Sequence, residues 1–173
     1  MSLNRSVTQT YGTVRKSLPI GLPESARQAV ATNLNQVLAD TITLRDLYKK
    51  HHWQVSGPHF QQLHLLFDKH FAEQSELVDT LAERVQLLGG VAVAMAADVA
   101  ELTRVPRAPK DREDWRTQIA RLLEAHEVIL TESRVFAREA AESGDDASND
   151  MLVGDVIATG ELQAWFLNEH IVE

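Results

Sequence analysis

The sequence predicts an all-α protein built as a four-helix bundle with a long crossover between its second and third helices. Apolar residues recur at three- and four-residue spacing over four long stretches, which is the pattern of amphipathic helices. No stretch shows the strict alternation of a half-buried strand. The stretch from residue 89 to residue 109 is too long for a tight helical hairpin, so it must cross the bundle.

The first two helices are delimited by turn residues. Pro23-Glu24-Ser25 suits a helix N-terminus, because proline and an early acid are favoured there. This helix should end before Gly57-Pro58, a dipeptide that cannot continue it. The second helix is predicted from near Pro58 to Gly89-Gly90, about 45 Å in length at the usual rise per residue.

The third helix is predicted from about Arg112 to Glu142, and the fourth from about Asn149 to Glu169. Between them, Gly144 offers a C-terminal cap. The apolar middle of the crossover predicts a short extra helix. Two antiparallel hairpins joined by such a crossover form the layout of a ferritin-like bundle. We therefore assign residues 24–173 to this bundle and residues 1–23 to a flexible N-terminal tail.

Composition places the chain among ordinary globular proteins. It has 173 residues, of which 44% are hydrophobic and 24% charged, and this size suits one domain. The sequence contains no apolar run of membrane-spanning length, and its N-terminus lacks the apolar stretch of a secretory signal. The absence of cysteine excludes disulfides and thiolate metal sites. It also fits the reducing cytoplasm, where we expect the protein to work.

Net charge argues against simple electrostatic attraction to nucleic acid or to an anionic membrane, because the chain carries a formal charge of −8. The N-terminal tail is a local exception, with Arg5, Arg15, Lys16 and no acidic residue. Two hypotheses stay open for it: an ordinary solvated terminus, or a weak contact to DNA.

Four potential metal ligands lie along one stripe of the second helix. With His64 placed at 0°, the helical rotation puts Asp68 near 40°, Asp79 near 60° and Glu83 near 100°. The two pairs are about 22 Å apart along the axis, so ligands of one ion cannot come from both pairs in the same chain. Two helices packed antiparallel about a two-fold axis would bring the pairs together and create two equivalent sites between subunits.

His52 ends the first helix beside the Gly57-Pro58 turn, which can bring it close to His64 and Asp68. A site of two imidazoles and several carboxylates without sulfur suits Fe(II), Mn or Zn better than calcium. The alternative is that Asp79 and Glu83 belong to an ordinary solvated helix face.

These residues resemble the Dps mini-ferritins, the DNA-binding proteins from starved cells. The resemblance rests on His-Trp at residues 52–53, on Gly-Pro-x-Phe at residues 57–60, and on Leu-His-x-x-x-Asp at residues 63–68. It continues with Asp-x-x-Ala-Glu-Arg at residues 79–84 and Leu-Gly-Gly at residues 88–90. The dense match covers about a quarter of the chain, and the bundle layout extends it over nearly all residues past residue 24.

The resemblance implies an intersubunit ferroxidase site, with His52, His64 and Asp68 from one subunit and Asp79 and Glu83 from its partner. It implies a hollow homododecamer that oxidises Fe(II), preferably with hydrogen peroxide rather than oxygen, and stores ferric mineral inside. Zn or Mn could compete with iron for the site. The family also suggests that the tryptophan matching Trp53 intercepts oxidising equivalents, whereas the simpler interpretation of Trp53 is packing.

Three acids open the fourth helix, where this family lines its three-fold pores with aspartates: Asp145, Asp146 and Asp150. Helix capping is the alternative role, because aspartate caps helix N-termini well. The family often carries a further acid about one turn later. Here Gly154 occupies that turn and Asp155 follows it, so the inner end of the pore departs from the family pattern.

Two other functions compete with the ferroxidase hypothesis. One is a nucleoid protein that coats and protects DNA, with iron oxidation secondary, but the sparse basic tail favours weak DNA binding or none. The other is a di-iron oxygenase with its ligands inside one bundle. Such proteins use Glu-x-x-His pairs, and this sequence contains none.

Overall fold

The structure, a computed structural model, describes residues 6–172, and this part of the chain is helical without any strand. The predicted all-α bundle is confirmed. Its elements in chain order are α1 (Glu24–Gln54), α2 (Phe60–Leu87), α3 (Ala96–Leu102), α4 (Trp115–Glu142), α5 (Asp146–Met151), a π-helical turn (Leu152–Ile157) and α6 (Ala158–Asn168).

The turn between α1 and α2 sets the position of the candidate site. Gly57 has a φ of +96°, a conformation that glycine adopts without strain, and Pro58 follows it. The amide of Phe60 then donates to the carbonyl of Gly57 at 3.1 Å as α2 begins. The two helices pack closely along their length, so the last turn of α1 lies against the first turns of α2.

The core lies between α1, α2, α4 and the last helical segment. Helix α1 contacts both α2 and α4, while α4 contacts α5, the π-helical turn and α6. Leucine side chains dominate the contact, as the three- and four-residue spacing predicts. Fully buried examples are Leu34, Leu38, Leu44, Phe67, Leu81, Ile119, Leu122 and Leu152.

The crossover is anchored to α1 by two polar side chains. Asn35 donates to the carbonyl of Val91 at 3.1 Å and accepts from the amide of Val93 at 2.8 Å. Asp40 is fully buried and accepts from the amide of Arg104 at 2.6 Å and from the hydroxyl of Thr103. Helix α3 packs on α1 between these anchors, so the predicted extra helix in the crossover is confirmed.

Capping aspartates fix the starts of the later helices. Asp114 accepts from the amides of Arg116 and Thr117, so α4 begins at Trp115, slightly later than the sequence predicts. Asp145 accepts from the amide of Ser148, so α5 begins before the predicted start of the fourth helix. Within the described residues, no helix combines the length and the apolar character that crossing a bilayer requires.

The N-terminal segment contacts the end of α2. The buried guanidinium of Arg27 donates to the carbonyls of Arg15 and Leu88 at 2.9 and 3.0 Å. The amide of Arg15 donates to the carbonyl of Gly89 at 2.9 Å, and Val14 is buried. These contacts fix the path of residues 14 and 15, whereas Arg5 lies outside the described residues. The prediction that residues 1–23 form a flexible tail therefore stays a prediction.

Candidate metal centre at the α1–α2 turn

His52 and His64 orient each other through two reciprocal hydrogen bonds. Nδ1 of His52 donates to the backbone carbonyl of His64 at 2.8 Å, and Nδ1 of His64 donates to that of His52 at 2.9 Å. The two rings stack at 3.8 Å between centroids. Because a carbonyl only accepts, both protons lie on Nδ1, and both Nε2 atoms keep a free lone pair for a metal ion.

Asp68 lies beside this pair but is held by a lysine. Its Oδ1 accepts from Nζ of Lys49 at 2.5 Å and lies 3.9 Å from Nδ1 of His52. The hydrogen bond from Lys49 lowers the pKa of Asp68, with smaller contributions from the nearby histidines. The carboxylate is therefore ionised at neutral pH and half exposed, with one oxygen occupied by an ammonium group.

Asp79 and Glu83 lie further along the same uninterrupted helix, and both are exposed. The rise of an α-helix keeps them about 22 Å from the His64 end. Within residues 6–172 of one chain, no three imidazole or carboxylate groups converge in a way that could hold a metal ion. One chain thus carries the two parts of the predicted ligand set at separate places. The two-fold partner that would bring them together stays a prediction.

Trp53 follows His52 and is 70% exposed. Its indole therefore does not pack in the core of its own chain, and Trp165 is likewise more than half exposed. The sequence predicts that the tryptophans are core or interface residues. For these two the structure excludes the core of their own chain, because both lie on the outer side of their helices, and an interface position stays a prediction. Contact with another subunit stays open for them.

The three acids at the start of α5 have different environments. Asp145 is buried, accepts from the amide of Ser148 and pairs with the guanidinium of Arg84 at 2.5 Å. Its carboxylate serves as a helix cap and an ion-pair partner, so of the two predicted roles the structure favours capping. Asp146 and Asp150 are exposed and available to line a pore.

Sequence reasoning missed two features of this region. Lys49 lies one helical turn before His52, so its spacing could have placed it on the same face. A buried polar cluster in the core was also not predicted: the hydroxyl of Tyr48 contacts Nε2 of His126 at 2.6 Å and Nδ1 of His70 at 3.2 Å. Nothing in the sequence signals that contact, because Tyr48 and His126 are far apart in the chain.

Comparisons with known proteins agree with this architecture. A model of the ferritin-like domain matches residues 31–173. The chain is 53% identical to DpsC from Streptomyces coelicolor, with a TM-score of 0.95 over 97% of both chains. It is 35% identical to DNA protection during starvation protein 1 of Deinococcus radiodurans over 84% of this chain and 70% of that protein. A Dps homologue from Halobacterium salinarum superimposes with a TM-score of 0.94 at 29% identity, covering 99% of this chain and 95% of that one.

Proposed function

Because the chain belongs to the Dps family of ferritin-like proteins, we propose that it is a ferroxidase that oxidises Fe(II) and stores the ferric product. One observation carries the proposal. The imidazoles of His52 and His64, held by reciprocal hydrogen bonds, leave their Nε2 atoms free beside the carboxylate of Asp68. Neutral imidazole and carboxylate together suit first-row divalent metals. Zn or Mn can compete with iron for the same donors.

The proposed site takes His52, His64 and Asp68 from one subunit and Asp79 and Glu83 from a two-fold partner. The support is geometric, since His64 and Asp68 lie about 22 Å along α2 from Asp79 and Glu83, so the two groups cannot meet within one chain. In a two-fold dimer, the histidine group of each subunit faces the Asp79 and Glu83 group of the other subunit. Each dimer therefore forms two equivalent sites. We propose that such dimers assemble into a dodecameric cage.

The proposed reaction consumes hydrogen peroxide. Two Fe(II) ions give one electron each, the O–O bond breaks, and two protons from solvent complete two water molecules. Carboxylate ligands favour Fe(III) over Fe(II), which makes bound iron a better reductant. Hydroxyl radical is avoided when both electrons reach one peroxide molecule, and this is how the reaction would protect a cell from oxidative damage. Oxygen is the slower alternative oxidant.

Exposed acids support a route for iron into the cage. Asp146 and Asp150 are exposed near the start of α5, and anionic rims raise the local concentration of cations. We propose that these two residues line a pore and that the ferric mineral collects inside. Asp145 is not part of this proposal, because its carboxylate is buried against Arg84.

The test of the proposal is complementation between two inactive variants. His64→Ala removes one half of the site and Glu83→Ala removes the other, so each variant alone should oxidise Fe(II) no faster than buffer. Co-expressed with different tags and purified as mixed assemblies, they should regain activity. Random pairing makes half of the dimers mixed, each with one intact site, so about a quarter of wild-type activity is expected.

The measurement is ferric absorbance after hydrogen peroxide is added to anaerobic protein loaded with Fe(II). Light scattering on the same samples gives the mass of the assembly. No recovery in the mixed protein would refute an intersubunit site, and wild-type oxidation at the buffer rate would refute the ferroxidase itself.

DNA protection is the second candidate function, and the names of relatives such as that from Deinococcus radiodurans favour it. We propose that DNA binding is weak and salt-sensitive, because the body of the chain is acidic and the tail has few cations. Twelve tails could still act together through multivalency. A gel shift at about 50 mM salt, with and without residues 1–16, tests this proposal, and tight retention that needs the tail would overturn it.

A further inference from the structure

The second half of the crossover carries a group of exposed cations. Residues 103–114 connect α3 to α4 without regular structure, and the first turn of α4 follows directly. Residues 107–116, which we call the basic loop, contain four exposed basic side chains: Arg107, Lys110, Arg112 and Arg116. Among residues 6–172, none of these four takes part in an ion pair. Their charges are therefore directed to solvent.

The acidic side chains of the basic loop are mostly engaged elsewhere. Glu113 accepts from Nε and from Nη2 of Arg121, both at 2.7 Å. Asp114 caps α4, where the positive end of the helix dipole offsets its charge. Of the three acids in the loop, Asp111 alone has no side-chain partner among the described residues. A chain with a net charge of −8 thus carries a local excess of positive charge at this loop.

Contacts on both sides fix the path of the basic loop. Just before it, the amide of Arg104 donates to the buried carboxylate of Asp40 at 2.6 Å. Within it, Nζ of Lys50 donates to the backbone carbonyl of Asp111 at 3.4 Å. Pro109 restricts one further backbone angle. A ligand would therefore meet cations on a preset backbone, and its binding would cost little ordering of the chain.

Arg116 is held at the surface by an aromatic ring. Its guanidinium carbon lies 4.7 Å from the ring centroid of Trp115. His59, at the start of α2, packs edge to face against the same indole at 4.6 Å between centroids. A guanidinium that stacks on a ring keeps its N–H groups available in its own plane, where they match the oxygen atoms of a phosphate.

The other cationic part of the chain, the N-terminal segment, is bound to the bundle. Nε2 of Gln9 donates to the carbonyl of Gly89 at 2.9 Å. The guanidinium of Arg27 donates to the carbonyls of residues 15 and 16 at 2.9 and 3.3 Å. While these hydrogen bonds hold, residues 9–16 cannot extend away from the bundle toward a distant ligand.

The two cationic regions lie toward opposite ends of α1. Arg27 holds the N-terminal segment near the start of this helix, and Lys50 contacts the basic loop near its end. The helical rise separates these two residues by about 35 Å. The Debye length is about 10 Å at 0.1 M salt, so each region acts on a ligand separately. Each can therefore be neutralised without changing the field at the other.

We propose that the basic loop, rather than the N-terminal segment, binds the phosphate backbone of DNA. This inference rests on the proposed DNA binding and names the surface responsible for it. Three of the four exposed cations are arginines, whose planar guanidinium groups pair with phosphate oxygens through two hydrogen bonds. Contacts to phosphate alone are independent of base sequence and weaken as the salt concentration rises.

The composition of the surface favours DNA over an anionic membrane. Within the described residues, none of the large hydrophobic side chains that are exposed lies between residues 96 and 134. A membrane-binding surface combines cations with apolar groups that insert among the lipids. The basic loop offers cations without such groups, so a phosphate backbone in water fits it better.

Gel shifts at about 50 mM salt with two variants of equal charge test the proposal. The loop variant changes Arg107, Lys110 and Arg112 to Gln, and the tail variant changes Arg5, Arg15 and Lys16 to Gln. Each removes three positive charges per chain, so a difference between them reports position and not net charge. The loop variant should bind duplex DNA more than about tenfold more weakly and with a smaller salt dependence. The tail variant should bind like the wild type.

A footprint on the unmodified sequence gives an independent measurement. Bound DNA should protect Lys110 from acetylation by acetic anhydride and leave Lys16 reactive, as quantified by mass spectrometry. Protection of Lys16 without protection of Lys110 would contradict the proposal. Circular dichroism and light scattering show whether the variants fold and assemble. The footprint needs no substitution, so it decides the question even if a variant fails to fold.

The outcomes separate this inference from the proposed DNA binding. DNA retention that persists in the loop variant, or that falls equally in both variants, would overturn the role of the loop and leave DNA binding in place. Wild-type protein that does not retain DNA even at about 10 mM salt would overturn both. Flotation with phosphatidylglycerol vesicles in that case, lost in the loop variant, would assign the loop to a membrane surface instead.

Discussion

His52 and His64 each donate from Nδ1 to the backbone carbonyl of the other, so neither imidazole can turn without breaking its hydrogen bond to the other residue. This interlock joins the end of α1 to the start of α2. It also selects the tautomer that leaves Nε2 free. The same two hydrogen bonds thus join the two helices and would orient both imidazoles for the proposed metal ion.

Two substitutions of His64 should separate these roles. In His64→Asn, the side-chain amide can still donate to the carbonyl of His52, but the Nε2 ligand is lost. His64→Ala loses both. We expect Co(II) affinity to fall by more than about tenfold in both variants. Only His64→Ala should lower the free energy of unfolding, by about 1 kcal/mol. Wild-type Co(II) binding by His64→Asn, measured by visible absorption, would contradict the role of Nε2.

Changing Lys49 to Gln should strengthen metal binding, because it removes a positive charge and frees an oxygen of Asp68. An increase in Co(II) affinity of about fivefold is expected at low salt, and less at high salt. The pKa of Asp68 should rise toward its usual value, since the lysine hydrogen bond is the main cause of its lowering. Lys50→Gln is the matched control, because Lys50 bonds Gln54 instead. Equal Co(II) affinities in the Lys49 and Lys50 variants would argue against competition between Lys49 and the metal ion for Asp68.

The acids at the start of α5 should behave differently when each is neutralised. Asp145→Asn keeps a cap for Ser148 but leaves the guanidinium of Arg84 without its buried partner. A loss of about 3 kcal/mol in the free energy of unfolding is expected. Asp146→Asn and Asp150→Asn should leave stability nearly unchanged and slow iron uptake. Denaturant unfolding and stopped-flow absorbance measure the two effects, and the reverse pattern would refute this division of roles.

His126 should make the fold sensitive to acid. Burial lowers its pKa to about 3 in the folded protein, against about 6.5 in the unfolded chain. Between these values His126 binds one more proton in the unfolded chain than in the folded protein, so its contribution to stability falls as pH falls below about 6.5. The slope from His126 alone is about 1.4 kcal/mol per pH unit, and the buried His51 and His70, whose pKa values are lowered to about 4, add to it.

Replacing His126 with Gln should reduce this slope, and unfolding measured between pH 7 and pH 5 tests it. His170→Gln serves as the control, because that partly exposed ring bonds only the local carbonyl of Phe166. An unchanged slope in the His126 variant would show that the buried ring does not titrate with unfolding.

The sequence predicted the bundle because its signals are local. Apolar spacing marks each helix, and Gly57-Pro58 and Gly89-Gly90 mark the ends of α2, as the structure bears out. The separation of the two ligand pairs was also predictable, since helical rise depends only on residue number. The intersubunit site follows from that separation as a hypothesis.

Tertiary structure alone decided which polar groups meet. Asp145 could have faced a pore or capped a helix, and the approach of Arg84 from α2 decided for a buried ion pair. Tyr48 and His126 stand 78 residues apart, and their contact exists only because α1 and α4 pack together. Periodicity determines which face of a helix is buried, but it carries no information about the partner across the core. That partner is set by packing, and here packing places the hydroxyl of Tyr48 against Nε2 of His126 in the core.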